Sequence, residues 1–313
     1  MPLSIGEGGS LAWQRLAVVN KHPRDDRIQF NEEEHSYAID GVKAGWSSCT
    51  QFLHNFFGHF DADATIAKMM KSPKWPSSPY YGKTAEEIKA QWSASGNDAS
   101  SKGTRMHLDI EHYYNSSELS IASMKRDDDW EPNLSPEWSM FVAYQEKIGS
   151  KMIPFRTEWL VFNETYKLAG SIDMLYKKHD GKYAIYDWKR AKEIKTENRY
   201  QSGLGPVMHL PDTNYWHYSL QLNVYRMILK QKYDIDVDEM ALVILHPNNP
   251  MWRVIKINIM EDEINDMFAA RLRALNMPGN DGSNPVVLFE GVHNMDLDEH
   301  ADTAGANGWI GIE

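Results

Sequence analysis

The sequence predicts an α/β fold, a single domain with an N-terminal helical part, and three observations predict it. Three period-two segments, 155–162, 167–176 and 182–188, follow one another closely, the last two joined by the turn residues His179-Asp180-Gly181. A long helical stretch at about 213–231 separates them from two further apolar runs, 241–245 and 252–257, which read as strands. Before residue 150 the apolar period is that of helices, apart from one hairpin.

In chain order, 27–30 and 35–40 flank the turn Asn31-Glu32-Glu33-Glu34 and form the hairpin. Segments 47–57 and 61–71 are helical, and 72–79 holds Pro73, Pro76 and Pro79 and must be a loop. Thr84-Ala85-Glu86-Glu87 is a capping box that starts a helix toward Ser95. Gly96 is expected to end that helix, and another to cover 100–115. After an acidic loop at 127–131, Ser135-Pro136 starts a helix to about 148, Ser at the cap and Pro at the first helical position. The last helix covers 261–276. These elements divide the chain into one domain over 1–280, with a helical cap over about 42–98, and an acidic, loosely ordered tail over 281–313.

Composition narrows the function classes. The 313 residues are 42% hydrophobic with a mean hydropathy of -0.56, and no apolar run approaches the roughly 20 residues that span a bilayer, so no membrane partner is expected. The N-terminus lacks the basic start and apolar middle of a signal peptide. The single cysteine, Cys49, excludes an internal disulfide, a Cys-based zinc cluster and an iron–sulfur cluster, and points to a reducing, intracellular compartment. The 33 Lys and Arg against 44 Asp and Glu give a net charge of -11, which on its face disfavours a nucleic-acid partner. The distribution reverses that. Residues 281–313 hold seven acids and no Lys or Arg, whereas between Lys177 and Arg199 eight basic residues face four acids. Such a strip can bind a polyanion, though taken alone it reads first as a solvated face.

Three constellations carry chemistry. On the hairpin, Asp187 and Lys189 lie two apart and so on one face, and the short turn lets Asp173 lie beside Asp187. Carboxylates brought together are costly to ionise without a counter-charge, and a hard divalent cation, Mg²⁺ or Mn²⁺, resolves that cost. On the preceding helix, His107 and Glu111 are four apart, about 40° around the axis, and share a face. His107-Leu108-Asp109-Ile110-Glu111-His112 matches neither zinc-protease pattern. On the later helix, Gln221 and Tyr225 are one turn apart, with Leu220, Val224, Met227 and Ile228 as the face held on the sheet.

In this order the motifs Gly103-x-x-x-His107, Gly170-x-x-Asp173, Asp187-x-Lys189 and Gln221-x-x-x-Tyr225 resemble the PD-(D/E)XK nuclease superfamily in its RecB-like exonuclease branch. More loosely, 35–41 and 81–115 are similar to exonucleases related to the mitochondrial genome maintenance exonuclease and its viral and phage relatives. The resemblance implies a central mixed sheet flanked by helices and a metal-dependent nuclease acting in DNA repair, replication or recombination. It implies His107, Asp173, Asp187 and the carbonyl of Trp188 as ligands of Mg²⁺ or Mn²⁺, Lys189 as the catalytic lysine, and Glu111 as a second acid near the ion. Glu158 is a further candidate that a buried ion pair explains as well. Gln221, Tyr225, Arg105, Arg190, Lys192 and Lys195 are the expected nucleic-acid or supporting residues. Trp75, Tyr80, Tyr81 and Trp92 could stack on bases or simply fill a core. The partner implied is DNA, single-stranded or with single-stranded ends, with RNA as an alternative. The rival functions are a structure-specific or RNA-cleaving endonuclease of the same superfamily and a non-catalytic nucleic-acid-binding protein. The chain keeps every charged motif residue, which disfavours the last.

Overall fold

The fold is built around a six-stranded mixed sheet, seen in a computed structural model that describes residues 14–115 and 133–277. The acidic loop at 127–131 and the acidic tail at 281–313 lie outside the described residues. A short helix, α1 (Arg15–Val19), which the sequence pattern does not announce, precedes the hairpin. Strands β1 (Ile28–Asn31) and β2 (Ser36–Ile39) pair antiparallel with Ile28 opposite Ile39. The two-residue strand β3 (Ser47–Ser48) runs into α2 (Cys49–His54), where Ser48 and Gln51 form a reciprocal capping box. Helix α3 (Ala62–Lys71) starts on Asp61, whose side chain accepts from the Ala64 N–H.

Helix α4 (Ala85–Asn115) corrects the expectation of two helices. Thr84 and Glu87 cap its start reciprocally as the sequence predicts, but Gly96 does not end it, and the helix runs 31 residues unbroken. An interior glycine costs only about 1 kcal/mol relative to alanine. The burial of Ile88 at one end and of Met106, Ile110, Tyr113 and Tyr114 at the other outweighs that. The cap and the body of the protein therefore share one helix.

The large sheet takes β4 (Ile153–Asn163), β5 (Leu168–Lys177), β6 (Tyr183–Lys189), β7 (Val237–Ile244) and β8 (Arg253–Ile257) as neighbours in that order, with β3 joining the N-terminal end of β5. Pairing is antiparallel except for β6 with β7 and β3 with β5. The parallel β6–β7 step needs a crossover, which α6 (Asn214–Lys232) supplies. The two faces of the sheet feed two cores. Ile172, Leu175, Ile185, Leu242 and Ile244 pack with α2, α6 and α7 (Glu261–Leu275). Met174, Tyr176, Tyr186, Trp188 and Val243 pack with α4 and α5 (Pro136–Lys147). Helix α6 is buried on more than the face anticipated: Leu222, Tyr225 and Leu229 are buried along with Leu220, Val224, Met227 and Ile228. It lies between the sheet and two other helices, and Asn223 joins it to α7 by bonding the Asn258 carbonyl and the Met260 N–H.

The cap has a small core of its own. Ile66, Met69 and Ile88 pack with Trp75, Tyr80 and Trp92, and Tyr80 meets the Trp92 ring edge-on. Three of the four aromatics considered for base stacking are thus packed in the cap, while Tyr81 is exposed.

Candidate active site

The site forms where the sheet comes apart. The β5–β6 ladder ends at Met174 opposite Tyr186, so the next positions in register are Asp173 and Asp187. Instead of continuing the ladder, Asp173 Oδ2 accepts the main-chain N–H of Trp188 at 2.9 Å. On the other side of β5, Thr157 opposite Met174 and Trp159 opposite Ile172 leave Glu158 facing Asp173. Glu158 has φ 41°, a left-handed conformation that costs a glutamate about 1–3 kcal/mol. The alternation of β4 slips there. Trp159 and Val161 enter the core beneath α6, whereas Thr157 accepts a hydrogen bond from Asn115 at the end of α4. Three carboxylates, Glu158, Asp173 and Asp187, thus stand in register across three adjacent strands. Their side-chain exposure falls from 30% through 11% to 4%, so the row is open at Glu158 and closed at Asp187.

Helix α4 supplies the remaining acid–base groups. Gly103, one turn before His107, is buried. His107 Nδ1 lies 3.2 Å from Glu158 Oε1 and 3.6 Å from Asp173 Oδ2, and its Nε2 lies 3.0 Å from the Trp188 carbonyl oxygen. Burial works to discharge His107, but Asp173 and Glu158 outweigh it and push its pKa up to about 9. Glu111, one turn further on, is pushed up to about 8 by burial and then by the Glu158 charge, with His107 opposing. Burial likewise raises Asp173 and Asp187, which lie in each other's field. Lys189 Nζ sits 2.8 Å from Asp187 Oδ2 and 4.8 Å from the centre of the Tyr218 ring. Burial alone would discharge this lysine, but Asp187 and Asp173 hold it firmly protonated.

Charge balance and donor chemistry fit a hard divalent cation. Asp187 Oδ2 is buried and, beyond the ion pair with Lys189, makes no well-formed hydrogen bond. His107, Glu158 and Asp173 each offer a ligand atom, all within 4.8 Å of one another. The 3.0 Å between His107 Nε2 and the Trp188 oxygen is about the spacing of neighbouring donors around an ion with ~2.1 Å bonds.

The last motif buttresses the site from behind. The Gln221 amide donates to the Tyr225 hydroxyl at 3.3 Å and to Thr50 Oγ1 at 3.4 Å. Tyr225 lies against Gly170: a Cβ there would come 2.7 Å from Tyr225 Cε1, 2.8 Å from its hydroxyl oxygen and 3.1 Å from Cys49 Sγ. The first motif glycine of β5 and the tyrosine of α6 are therefore one packing contact. Gly170→Ala should cost about 1–3 kcal/mol by overpacking, because Tyr225 is buried and cannot swing out. A thermal melt checks this; a Tm within 1 °C of wild type would mean that the contact yields.

The basic residues are more dispersed than expected. Arg190 was expected to hold a nucleic-acid backbone, but its Nε donates to Glu137 Oε1 at 2.6 Å, with both side chains only 11% exposed, and ties the end of β6 to α5. Freeing it would leave Glu137 buried without a counter-charge. Arg105 pairs with Asp109 and, two residues from His107, points to another side of α4. Lys192 is exposed and Lys195 half-buried, both outside the carboxylate row. Tyr218 and Ser171 touch Lys189 and Glu158 without having been singled out; Tyr218 stands one turn before Gln221, the one sequence signal that could have marked it.

The sequence model of the PD-(D/E)XK nuclease superfamily matches residues 80–276, well over half of the chain. The chain belongs to the PD-(D/E)XK nuclease superfamily. Two solved structures are similar to this nuclease-family chain over part of its length. A protein named "putative exonuclease" from Eubacterium rectale has a TM-score of 0.36 and 14% identity, with 56% of this chain and 65% of that one covered. A protein named SSO0001 has a TM-score of 0.24 and 13% identity, with 45% and 58% covered. The alignment thus spans less than two thirds of either structure. Curated protein sequences give no match. Members of this superfamily are phosphodiester hydrolases that generally use divalent metals, and the mixed sheet flanked by helices is their fold. Among the described residues no helix is long and apolar enough to cross a membrane.

Proposed function

We propose that this chain is a Mg²⁺- or Mn²⁺-dependent DNA exonuclease that hydrolyses phosphodiester bonds from single-stranded ends. The observation that carries the hydrolytic reading is the register of Glu158, Asp173 and Asp187 across three strands, with His107 and Lys189 against it. The free-end requirement rests on α4, about 46 Å long at 1.5 Å per residue, which carries the cap at one end and His107 at the other. A cap fixed to the site in this way suits a channel that admits one strand.

His107, Asp173, Asp187 and the Trp188 carbonyl oxygen would hold the cation. When bound there, it would polarise the scissile phosphate and lower the pKa of a water. Lys189, kept protonated and fixed between Asp187 and the Tyr218 ring, would stabilise the negative charge that builds on the phosphate; its raised pKa makes it a poor proton acceptor. Glu111, buried one turn from His107 and readily protonated, stands beside the site as a reserve of one proton.

The test offers closed circular and linear single-stranded DNA at equal concentration with Mn²⁺, each with and without excess EDTA. Degradation of the linear form alone, abolished by EDTA, is the expected result. Equal loss of the circle would make the chain an endonuclease of the same superfamily. Binding without cleavage of either would leave only the nucleic-acid-binding reading, and full activity in EDTA would remove the metal.

Metal affinity should depend on pH. At neutral pH the raised pKa of His107, about 9, keeps the ring protonated, so a cation must displace a proton to use it. The sign follows: affinity rises with pH up to about 9, by up to tenfold per unit for one proton displaced. Mn²⁺ titrations at pH 6.5, 7.5 and 8.5 measure it. A flat response would show that His107 gives up no proton to the ion.

A further inference from the structure

We propose that Glu158 is a positioning residue that holds the proton of His107 on Nδ1 and leaves Nε2 as the nitrogen offered to a cation. This rests on the metal-dependent reading above and adds a role for Glu158. A neutral imidazole has one N–H, and the acceptor that holds it decides which nitrogen is free to ligate. Two carboxylates face Nδ1. Glu158 Oε1 is at 3.2 Å, within hydrogen-bond range, and Asp173 Oδ2 is at 3.6 Å, outside it. Asp173 Oδ2 is moreover engaged by the Trp188 N–H at 2.9 Å. Nε2 faces the Trp188 carbonyl oxygen at 3.0 Å, also an acceptor, so the two nitrogens compete for the one proton, and the charged carboxylate is a stronger acceptor than the neutral carbonyl.

Glu158 is itself held for this task. Its Oε2 accepts from Ser171 Oγ at 3.1 Å, so both carboxylate oxygens have protein partners. Its backbone is left-handed between two residues that keep their ladder positions, Thr157 opposite Met174 and Trp159 opposite Ile172. Such strain in a single residue is maintained only by the structure around it, and here it turns the side chain toward α4. The competing role is direct ligation, since one Glu158 oxygen lies in the same 4.8 Å group as His107 and Asp173.

Two substitutions in the full-length chain separate these roles. Glu158→Gln keeps an oxygen that can accept from Nδ1–H but removes the charge. Glu158→Ala removes both. Mn²⁺ affinity, read by electron paramagnetic resonance, should fall about 10–100-fold in Glu158→Ala and stay within about threefold of wild type in Glu158→Gln. An equal fall in both variants would make Glu158 a ligand, and no fall in Glu158→Ala would leave it without either role; both results overturn the proposal. The ¹⁵N spectrum of histidine-labelled, metal-free protein at pH 10 decides the tautomer without any ion. Nδ1–H in wild type, lost in Glu158→Ala and kept in Glu158→Gln, supports the proposal. Nε2–H in wild type overturns it. Absence of Mn²⁺ binding to wild type with the Nδ1–H tautomer present would refute the metal-dependent function while supporting the orientation of His107 by Glu158.

Discussion

Replacing Lys189 with alanine is expected to lower the rate of cleavage at least 10²–10³-fold while changing affinity for single-stranded DNA by less than about threefold. Among the described residues the ammonium and His107 are the cations against the carboxylate row, and the ammonium lies 2.8 Å from Asp187 where the row is most closed. It would act on charge that develops only as the bond breaks, so its loss appears in kcat rather than in binding. Exposed lysines outside the row, such as Lys192, would remain to hold the backbone. Single-turnover cleavage and equilibrium binding on one preparation check both halves. Cleavage near the wild-type rate would mean that the β5–β6 hairpin is not the site of hydrolysis.

Asp173→Asn is expected to abolish Mn²⁺ binding and to reduce cleavage by at least 10³-fold, yet to leave the metal-free protein as stable as before or more so. Asp173 stands between two other carboxylates, and burial together with Glu158 raises its pKa against the opposing pull of His107 and Lys189. For a carboxyl whose folded pKa is raised, ionisation costs stability as pH climbs above its unfolded value, so a neutral isostere removes that cost at neutral pH. The asparagine oxygen can still accept the Trp188 N–H that Asp173 now holds. Thermal melts in EDTA and Mn²⁺ titration are the measurements. A melting point several degrees below wild type in EDTA would show the charge to be structural.

The two outcomes together would mark a site that trades stability for chemistry. In metal-free protein the carboxylate row repels itself, the left-handed Glu158 is strained, and Asp187 Oδ2 has only the Lys189 ammonium against it. These costs gather where β5 parts from β6, and the electrostatic ones are of the kind that a bound cation or a fixed proton relieves.

The sequence by itself determined the elements whose signals are local. Period two along 182–188 placed Asp187 and Lys189 on one face, and they meet as an ion pair. A four-residue spacing put Gln221 against Tyr225, and Thr84 with Glu87 marked the start of α4, because both depend only on one turn of helix. The order of four short motifs was enough to suggest the superfamily. Only the tertiary structure decided the contacts between distant elements. Gly96 reads locally as a break, yet α4 continues through it because two separate cores bury its ends. Arg190 reads as a free cation until α5 brings Glu137, 53 residues away, against it. Glu158 faces Asp173 through the register of β4 on β5 and one left-handed residue, and Gly170 is small because Tyr225 leans on it from another helix. Local pattern follows from backbone geometry, which every residue carries with it. Register, burial and charge pairing depend on which surfaces the folded chain brings together, and those are properties of no single segment.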